Sequence, residues 1–575
     1  MTRTRRGGGY RRVVARRPQA PPERHIHRGQ PPPPSNQGIY LTLTWNDLYA
    51  RFRRSRFLSV VDAQPHDWLL TSLSLVGTIV ANSGLLGGSQ RGVAAELLAG
   101  EQRARALRLF DRGERQIVAH PEAMALGFKL AALRCTTGEA IGDPSSLMPL
   151  LVGLNDLVAS QRGSVPIRLH IHASQQALWV EDLVREFDLL HHYEAALPDH
   201  VRFGFRDKFR AITGLDALDF SAYAFGIYAV FAQFDSAEDL KGVNYRALAE
   251  STGMRATNPT DFQKFLALTC NSRDELRRRF AGGEEERLSL ADSLTFRTAP
   301  LVRLENGGVV PVWLEWIQEK IGSAPRYEIQ NSIHTNDEMR RFRGALGEAF
   351  EDYCLEVLNR MFPDGGAAIL ETRDGLPGCD AVILLGDSAL FLEFTVSEPS
   401  LEMLWNGDES GVREFAANRL TGKGKLDQLR QTIEAYKAGD LGVAPGRPVA
   451  TRIYPILVSL TPLPLLMGLD GLLREGIRQD SPGMADGQGS TRKVLFTCVK
   501  DWETLEPLLL AGRISLLDTL DGWMGLGLRS GLGDYLLRDL GFAGTRNAHL
   551  ARRWDAIAEL LAPRAIQLLG VEADA

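Results

Sequence analysis

The chain has 575 residues, too many for one ordinary domain, so two or three domains are expected. Its hydrophobic content of 44% and charged content of 24% are those of a globular protein that can bury a sizeable core. The five cysteines show no CxxC spacing. This argues against a structural zinc site and a disulfide framework, and it predicts a reducing, cytoplasmic environment.

Charge is distributed unevenly along the chain. Residues 1–37 contain nine arginines and one glutamate, a balance of +8, within a chain whose net charge is −5. The remainder therefore carries −13, so any nucleic-acid contact must depend on local basic patches or on this tail. The tail is rich in Arg, Pro and Gly and nearly lacks large apolar residues, which predicts disorder. It lacks the apolar core of a signal peptide, and a plain solvated leader is the alternative to a phosphate-binding segment.

Residues 38–325 are predicted to form a mainly α-helical domain. Apolar residues recur every three or four positions in segments such as AAELLAGEQRARALRLF. The uncharged stretch 68–86 nearly reaches membrane-spanning length, but polar residues interrupt it repeatedly, so a buried helix and no membrane contact are expected. The segment TAPLVRLENGGVVPVW predicts a hairpin that turns at Asn306-Gly307-Gly308. A sensing, docking or regulatory role, with a protein partner, is the default expectation for this domain.

The second half begins with a strongly predicted helix. The segment SAPRYEIQNSIH (323–334) is expected to connect the two halves. Thr335 and Glu338 follow at capping-box spacing, and apolar residues then recur every three or four positions up to Met361. Residues 332–575 are therefore predicted to form the second folded domain, of α/β class.

Three acids lie on successive predicted elements of this domain. Glu351 lies on the helix beside its apolar face. A first strand is predicted at 367–372, Asp380 opens the apolar strand DAVILL, and Glu393 lies in the following strand ALFLEFTV. Charged residues in such strands are costly to bury unless they are paired or bind a cation. Three carboxylates together suit a hard divalent cation, whereas the alternative is a structural domain with ordinary surface acids.

Two further positions bear on the chemistry. Thr395 lies two residues after Glu393 and therefore on the same side of the strand. The helix KLDQLRQTIEAY follows, in which Lys425 and Gln428 share a face while Leu426 and Leu429 are expected to point inward. The segments ATRIYPILVSL and KVLFTCV predict two more strands, LPLLMGLDGLLREGI predicts a helix between them, and closing helices complete the domain.

The order helix, strand, strand, helix, with an acid on each of the first three elements and a KxxQ helix behind them, resembles the PD-(D/E)XK nuclease superfamily. The resemblance covers the C-terminal half only. It implies a restriction-endonuclease-like mixed central sheet flanked by helices. It also implies that Asp380 and Glu393 hold Mg²⁺ (or Mn²⁺), with Glu351 as the auxiliary helix acid.

The family lysine, normally two residues after the second strand acid, is replaced here by Thr395. In one interpretation, the positive charge of the family lysine is supplied instead by the following helix, from Lys425 with Gln428 on the same face, or by Lys423 just before that helix. The protein is then a metal-dependent nuclease, expected to act on DNA, and its layout is similar to that of bacterial restriction and anti-phage proteins. In the other interpretation catalysis has been lost, and the domain binds nucleic acid or a protein partner without cutting.

Overall fold

The computed structural model of the protein describes residues 42–570, with gaps at 50, 83–87, 113–116, 138–141, 143, 162–179, 235, 238–239, 241–255, 364–366, 369–377, 401–402, 404–407, 421–423, 440–448, 462–477, 479–486, 488, 527–530 and 543–544. The predicted disordered tail at 1–37, the helix predicted at 463–477 and Lys423 lie outside the described residues.

The α-helices of the described residues are numbered in chain order. They are α1 Trp45–Leu48, α2 Arg54–Asp62, α3 His66–Asn82, α4 Gly88–Leu97, α5 Gly100–Asp111, α6 Pro121–Arg134, α7 Leu147–Gln161, α8 Val180–Asp188, α9 Glu194–Ala196, α10 Phe205–Thr213, α11 Ala217–Ala232, α12 Pro259–Thr269, α13 Arg273–Phe280, α14 Leu290–Thr298, α15 Leu314–Ile321, α16 Ala324–Ser332, α17 Asn336–Met361, α18 Glu409–Phe415, α19 Lys425–Ala438, α20 Val499–Leu510, α21 Leu516–Gly525, α22 Leu532–Asp534 and α23 Ala548–Leu569.

The strands form two sheets. One has the order β1-β2-β3 and comprises β1 Cys270–Asn271, β2 Leu301–Arg303 and β3 Val309–Pro311. The other has the order β4-β5-β6-β7-β8 and comprises β4 Ala367–Ala368, β5 Ala381–Leu385, β6 Ser388–Thr395, β7 Arg452–Ser459 and β8 Leu495–Cys498.

The chain divides into two compact units. Tyr40–Ala349, Pro399–Val412 and Arg546–Ala575 form the helical unit, and Phe350–Glu398 with Arg413–Thr545 form the sheet unit. This division differs from the predicted domains in two places. It falls within α17 rather than near residue 330, and the last helix, α23, belongs to the helical unit. The reason is packing, since α23 buries its apolar face, including Leu561, against α11 and α8.

The helical unit confirms the mainly helical prediction for the N-terminal half. Helix α3 is buried along most of its length and packs against α6, as expected for a core helix with scattered polar residues. The hairpin forms as predicted, with β2 and β3 antiparallel and Gly307 in the left-handed region at φ 90°. The segment predicted to connect the two halves, 323–334, forms α16 over Ala324–Ser332 and buries Arg326 and Ile329.

No single described helix is both long and apolar enough to cross a bilayer, although the bent pair α10 and α11 has the length and composition to do so when the two are taken together. Helix α11 packs within the helical unit against α15 and α23.

The sheet unit is an α/β structure with a mixed sheet. β4 pairs with β5 and β5 with β6 in antiparallel orientation, whereas β6, β7 and β8 are parallel. β6 is buried at every position, which fits its central place. The ring of Phe350 on α17 contacts Phe394, and the ring of Tyr436 on α19 contacts Phe391. Because side chains alternate along a strand, α17 and α19 cover opposite faces of the sheet.

Candidate metal and catalytic site

The β5–β6 hairpin brings two of the predicted acids together. The strands are joined by a two-residue turn in which Gly386 adopts φ 60°, a conformation that favours glycine. The register pairs Ala381 with Leu392, so the next position along places Asp380 opposite Glu393. Residues directly opposite each other in an antiparallel pair point to the same face. Two carboxylates thus face each other at one end of the hairpin.

Each acid is held by a specific hydrogen bond. Oδ2 of the half-buried Asp380 accepts a bond of 2.6 Å from the backbone N–H of Phe394. Glu393 is fully buried, and its Oε1 accepts a bond of 2.6 Å from Nζ of Lys425. The same Nζ lies 3.6 Å from Oδ2 of Asp380. One ammonium group therefore lies between two carboxylates, and like charges placed directly opposite would otherwise repel.

Lys425 reaches this position because it is the first residue of α19. The helix begins after Gly424 and packs on β6 through buried residues that include Leu426 and Leu429. Its face of the sheet is the one to which Glu393 points, since Glu393 and Phe391 are two residues apart in the strand. Of the two lysines considered from the sequence, Lys425 lies at the acids.

The charges at the site are strongly coupled. Burial, and then the neighbouring charge of Asp380, raises the pKa of Glu393 to about 8, against the opposing effect of Lys425. Burial alone would lower the pKa of Lys425, but the charges of Glu393 and Asp380 and the hydrogen bond raise it overall. The single ammonium does not offset both the burial of Glu393 and its repulsion by Asp380. The site therefore favours the binding of further positive charge.

One atom of the site is left without a partner. Oε2 of Glu393 is buried and accepts no hydrogen bond within the described residues. A buried carboxylate oxygen in this condition is costly unless a cation or a donor reaches it. Together with Asp380 it offers the hard oxygen ligands that Mg²⁺ and Mn²⁺ prefer. The residues present therefore fit a divalent cation.

Glu351 is the third predicted acid. It is half-buried on α17, one residue after Phe350, whose ring lies 6.3 Å from that of Phe394. Its charge contributes to the raised pKa values of Glu393 and Lys425. However, no three His, Cys, Asp or Glu side chains of the described residues form a group at metal-holding geometry. Glu351 thus influences the site through its charge, from the helix on the opposite face of the sheet.

The remaining predicted residues lie further from the chemistry. Thr395 is buried, and its hydroxyl oxygen accepts a bond of 3.1 Å from the backbone N–H of Ser397, which helps to end β6. Gln428 is exposed, and no hydrogen bond found in the described part of the chain joins its side chain to the acids. Two features had no sequence signal: the backbone N–H of Phe394 that fixes Asp380, and the buried Cys379 beside it, whose pKa is raised by burial and the neighbouring carboxylates.

Asp380, Glu393 and Lys425 thus lie together at the end of the β5–β6 hairpin away from its turn, and the two acids are the residues that could hold a divalent cation there. Comparison of the chain with family models, with curated proteins and with solved structures returns no match.

Proposed function

We propose that the sheet unit is a Mg²⁺-dependent nuclease site of the PD-(D/E)XK type that hydrolyses phosphodiester bonds in DNA. The observation that carries the proposal is the position of Lys425 Nζ, 2.6 Å from Glu393 and 3.6 Å from Asp380. These three residues offer the two acids and the lysine ammonium group that such a site needs. Here the lysine comes from a helix rather than from the strand. The restriction-endonuclease-like fold is part of this proposal, and the mixed sheet with helices on both faces supports it.

Asp380 and Glu393 would hold the cation, with the unpartnered Oε2 of Glu393 as a ligand atom. The hydrogen bond from Phe394 would keep Asp380 in place during turnover. A bound Mg²⁺ supplies neutralisation of the phosphate charge and acidification of a coordinated water molecule. Three carboxylates against one ammonium leave about two negative charges when Glu393 is ionised, which a divalent cation would balance.

Lys425 is assigned two tasks. Its ammonium group would orient the attacking water and offset the negative charge that develops on the phosphate. Its raised pKa keeps it protonated at neutral pH, as this role requires. Glu351 is assigned an auxiliary role, in which its charge strengthens the affinity of the site for cations.

A role in bacterial restriction or anti-phage defence extends this proposal by analogy of layout, a helical module joined to a nuclease unit. Two observations favour the catalytically silent alternative. Lys425 already occupies one oxygen of Glu393, and the described residues contain no three-ligand group ready for a metal. In that case the same site would hold the fold together and the chain would bind without cutting.

The test is cleavage of plasmid and single-stranded DNA with Mg²⁺, with Mn²⁺ and with chelator. We expect metal-dependent cutting by the wild type and a loss of at least about 100-fold in Glu393→Gln. Glu434→Gln is the matched control, because Glu434 is an exposed acid on α19 that pairs with Arg430 at 2.8 Å. Cutting that persists in Glu393→Gln would overturn the proposal, and metal-independent binding without cutting would favour the silent alternative.

A further inference from the structure

Several exposed arginines lie near the start of the helical unit. Arg51, Arg53 and Arg56 lie just before and within the first turn of α2, and Arg105 and Arg108 lie on α5. All five residues are exposed. Their side chains make no ion pair or hydrogen bond with any residue that the structure describes. We call these five residues the arginine patch.

Helix α1 holds the two groups of the patch near each other. The backbone N–H of Phe52 donates a hydrogen bond of 2.9 Å to Oδ1 of Asn46. The ring of Phe52 lies 5.8 Å from the ring of Trp45, measured between centroids. The segment that carries Arg51 and Arg53 is therefore folded onto α1. Helix α5 packs against α1 as well. Both arginine groups thus flank the same short helix.

The patch is not neutralised by its surroundings. Arg105 and Arg108 are three residues apart and share a face that points away from the buried Ala106. Glu101 shares this face. Among the neighbouring charges, Asp111 pairs with Arg91 at 3.0 Å and Arg54 pairs with Glu286. Against the one exposed carboxylate of Glu101, the five patch arginines leave an excess of four positive charges on a chain whose net charge is −5.

We propose that the arginine patch binds the sugar–phosphate backbone of nucleic acid and brings it to the protein. The inference rests on the proposed function for its choice of partner, and it gives the helical unit a task in substrate capture. Forked guanidinium donors match phosphate oxygens and need no particular base sequence. A membrane surface is disfavoured as the partner, because membrane binding needs exposed apolar side chains beside the basic ones. Among the described residues, the exposed large hydrophobic side chains, such as Ile212 and Leu560, all lie outside the segment 42–112 that carries the patch.

The test measures binding of a fluorescent duplex and a single strand by the full chain at several salt concentrations, with chelator present so that no cutting intervenes. A variant with all five patch arginines changed to Gln is compared with the wild type. At about 100 mM salt we expect at least about tenfold weaker binding. For the duplex, the slope of log K against log salt should fall by up to about 4.5, because each of the five phosphate contacts contributes about 0.9.

The matched control changes five other exposed arginines of the helical unit to Gln: Arg278, Arg287, Arg343, Arg546 and Arg552. Both variants keep the arginine-rich residues 1–37, so the contribution of that segment cancels. Equal affinities and slopes in patch and control variants would overturn the inference, as would a wild type that binds vesicles containing phosphatidylserine but no DNA. Patch-dependent binding without metal-dependent cutting would support this inference while the proposed function fails, and cutting with patch-independent binding would do the reverse.

Discussion

Each unit of the protein holds a lysine against a carboxylate, and the two lysines differ in how completely the polar groups around them are satisfied. In the helical unit, Nζ of Lys129 donates to the backbone oxygens of Glu284 and Arg287 and to Asp292, at 2.9, 2.7 and 2.9 Å. All three of its donors are used. In the sheet unit, Lys425 faces two carboxylates, and Glu393 keeps one buried oxygen without a partner in the described residues.

Under the proposed function, this difference separates a structural charge from a functional one. Lys129 is almost fully buried and joins a loop to α6, so all of its hydrogen-bonding capacity is used to stabilise the fold. Around Lys425, the ionisation of Glu393 beside Asp380 carries a free-energy cost that the single ammonium does not offset. Incomplete satisfaction of buried charge is a feature of binding and catalytic sites. The two lysines therefore predict opposite mutational results.

The largest effect is expected from Lys425→Gln. The amide keeps a hydrogen bond to Glu393 but removes the positive charge beside the phosphate, so cleavage should fall by about 100- to 1000-fold. Initial rates of plasmid nicking with saturating Mg²⁺ measure it. Thermal unfolding should change little, and a variant that unfolds without losing activity per folded molecule would contradict a catalytic role.

Lys129→Met should show the reverse pattern. Removing the ammonium leaves Asp292 and two carbonyl oxygens without their donor, so the free energy of unfolding should fall by about 3 kcal/mol. Urea unfolding followed by tryptophan fluorescence measures this change. Metal-dependent cleavage at low temperature should stay near the wild-type rate. Unchanged stability would mean that full hydrogen bonding does not identify a structural charge here.

The pH dependence of stability offers a smaller effect. Because the folded pKa of Glu393 is about 8 and an unfolded glutamate titrates near 4.3, the unfolded chain loses this proton first as pH rises. Stability without metal should therefore decline between about pH 5 and pH 8. Glu393→Gln removes this contribution, so its stability relative to the wild type should rise by roughly 3 to 4 kcal/mol between pH 5 and pH 8, and the two proteins should converge only near pH 4. Parallel pH profiles of the two proteins, obtained by chemical unfolding, would argue against a raised pKa.

The smallest effect is expected from Gln428→Ala. Its side chain is exposed and no hydrogen bond of the described residues joins it to the carboxylates, so cleavage should change by less than about twofold. Steady-state rates under the conditions used for Lys425→Gln make the comparison direct. A loss as large as that of Lys425→Gln would show that the helix rotates when substrate binds.

The candidate site, including Lys425 and Gln428, shows what the sequence could and could not predict. Apolar runs predicted β5 and β6, and the two-residue turn between them fixes the register that places Asp380 opposite Glu393. The i, i+3 spacing put Lys425 and Gln428 on a common face. It could not decide which of them borders the sheet, because that depends on how the buried Leu426, Leu429 and Thr432 orient the helix. Around the helix axis, Lys425 lies closer than Gln428 to the side on which these buried residues project.

Longer-range packing was less predictable. Nothing in the local pattern of α23 indicates that it joins the helical unit, since its apolar stripe would fit either unit. The segment 323–334 lacks long apolar periodicity, and it forms α16 because the fold provides burial for Arg326 and Ile329. The hydrogen bond from Phe394 to Asp380 is made by the backbone, so no side-chain motif could have indicated it.

The central claim is that Asp380, Glu393 and Lys425 form a site for a divalent cation, and calorimetric titration of the full chain with Mg²⁺ and Mn²⁺ at pH 7 tests it most directly. Glu393 is largely protonated before metal binds and must be ionised afterwards, so up to about one proton should be released per cation. The heat should then depend on the ionisation enthalpy of the buffer. We predict this behaviour for the wild type and for Glu434→Gln, and its loss in Glu393→Gln. Equal binding by all three proteins, or none by the wild type, would contradict the claim.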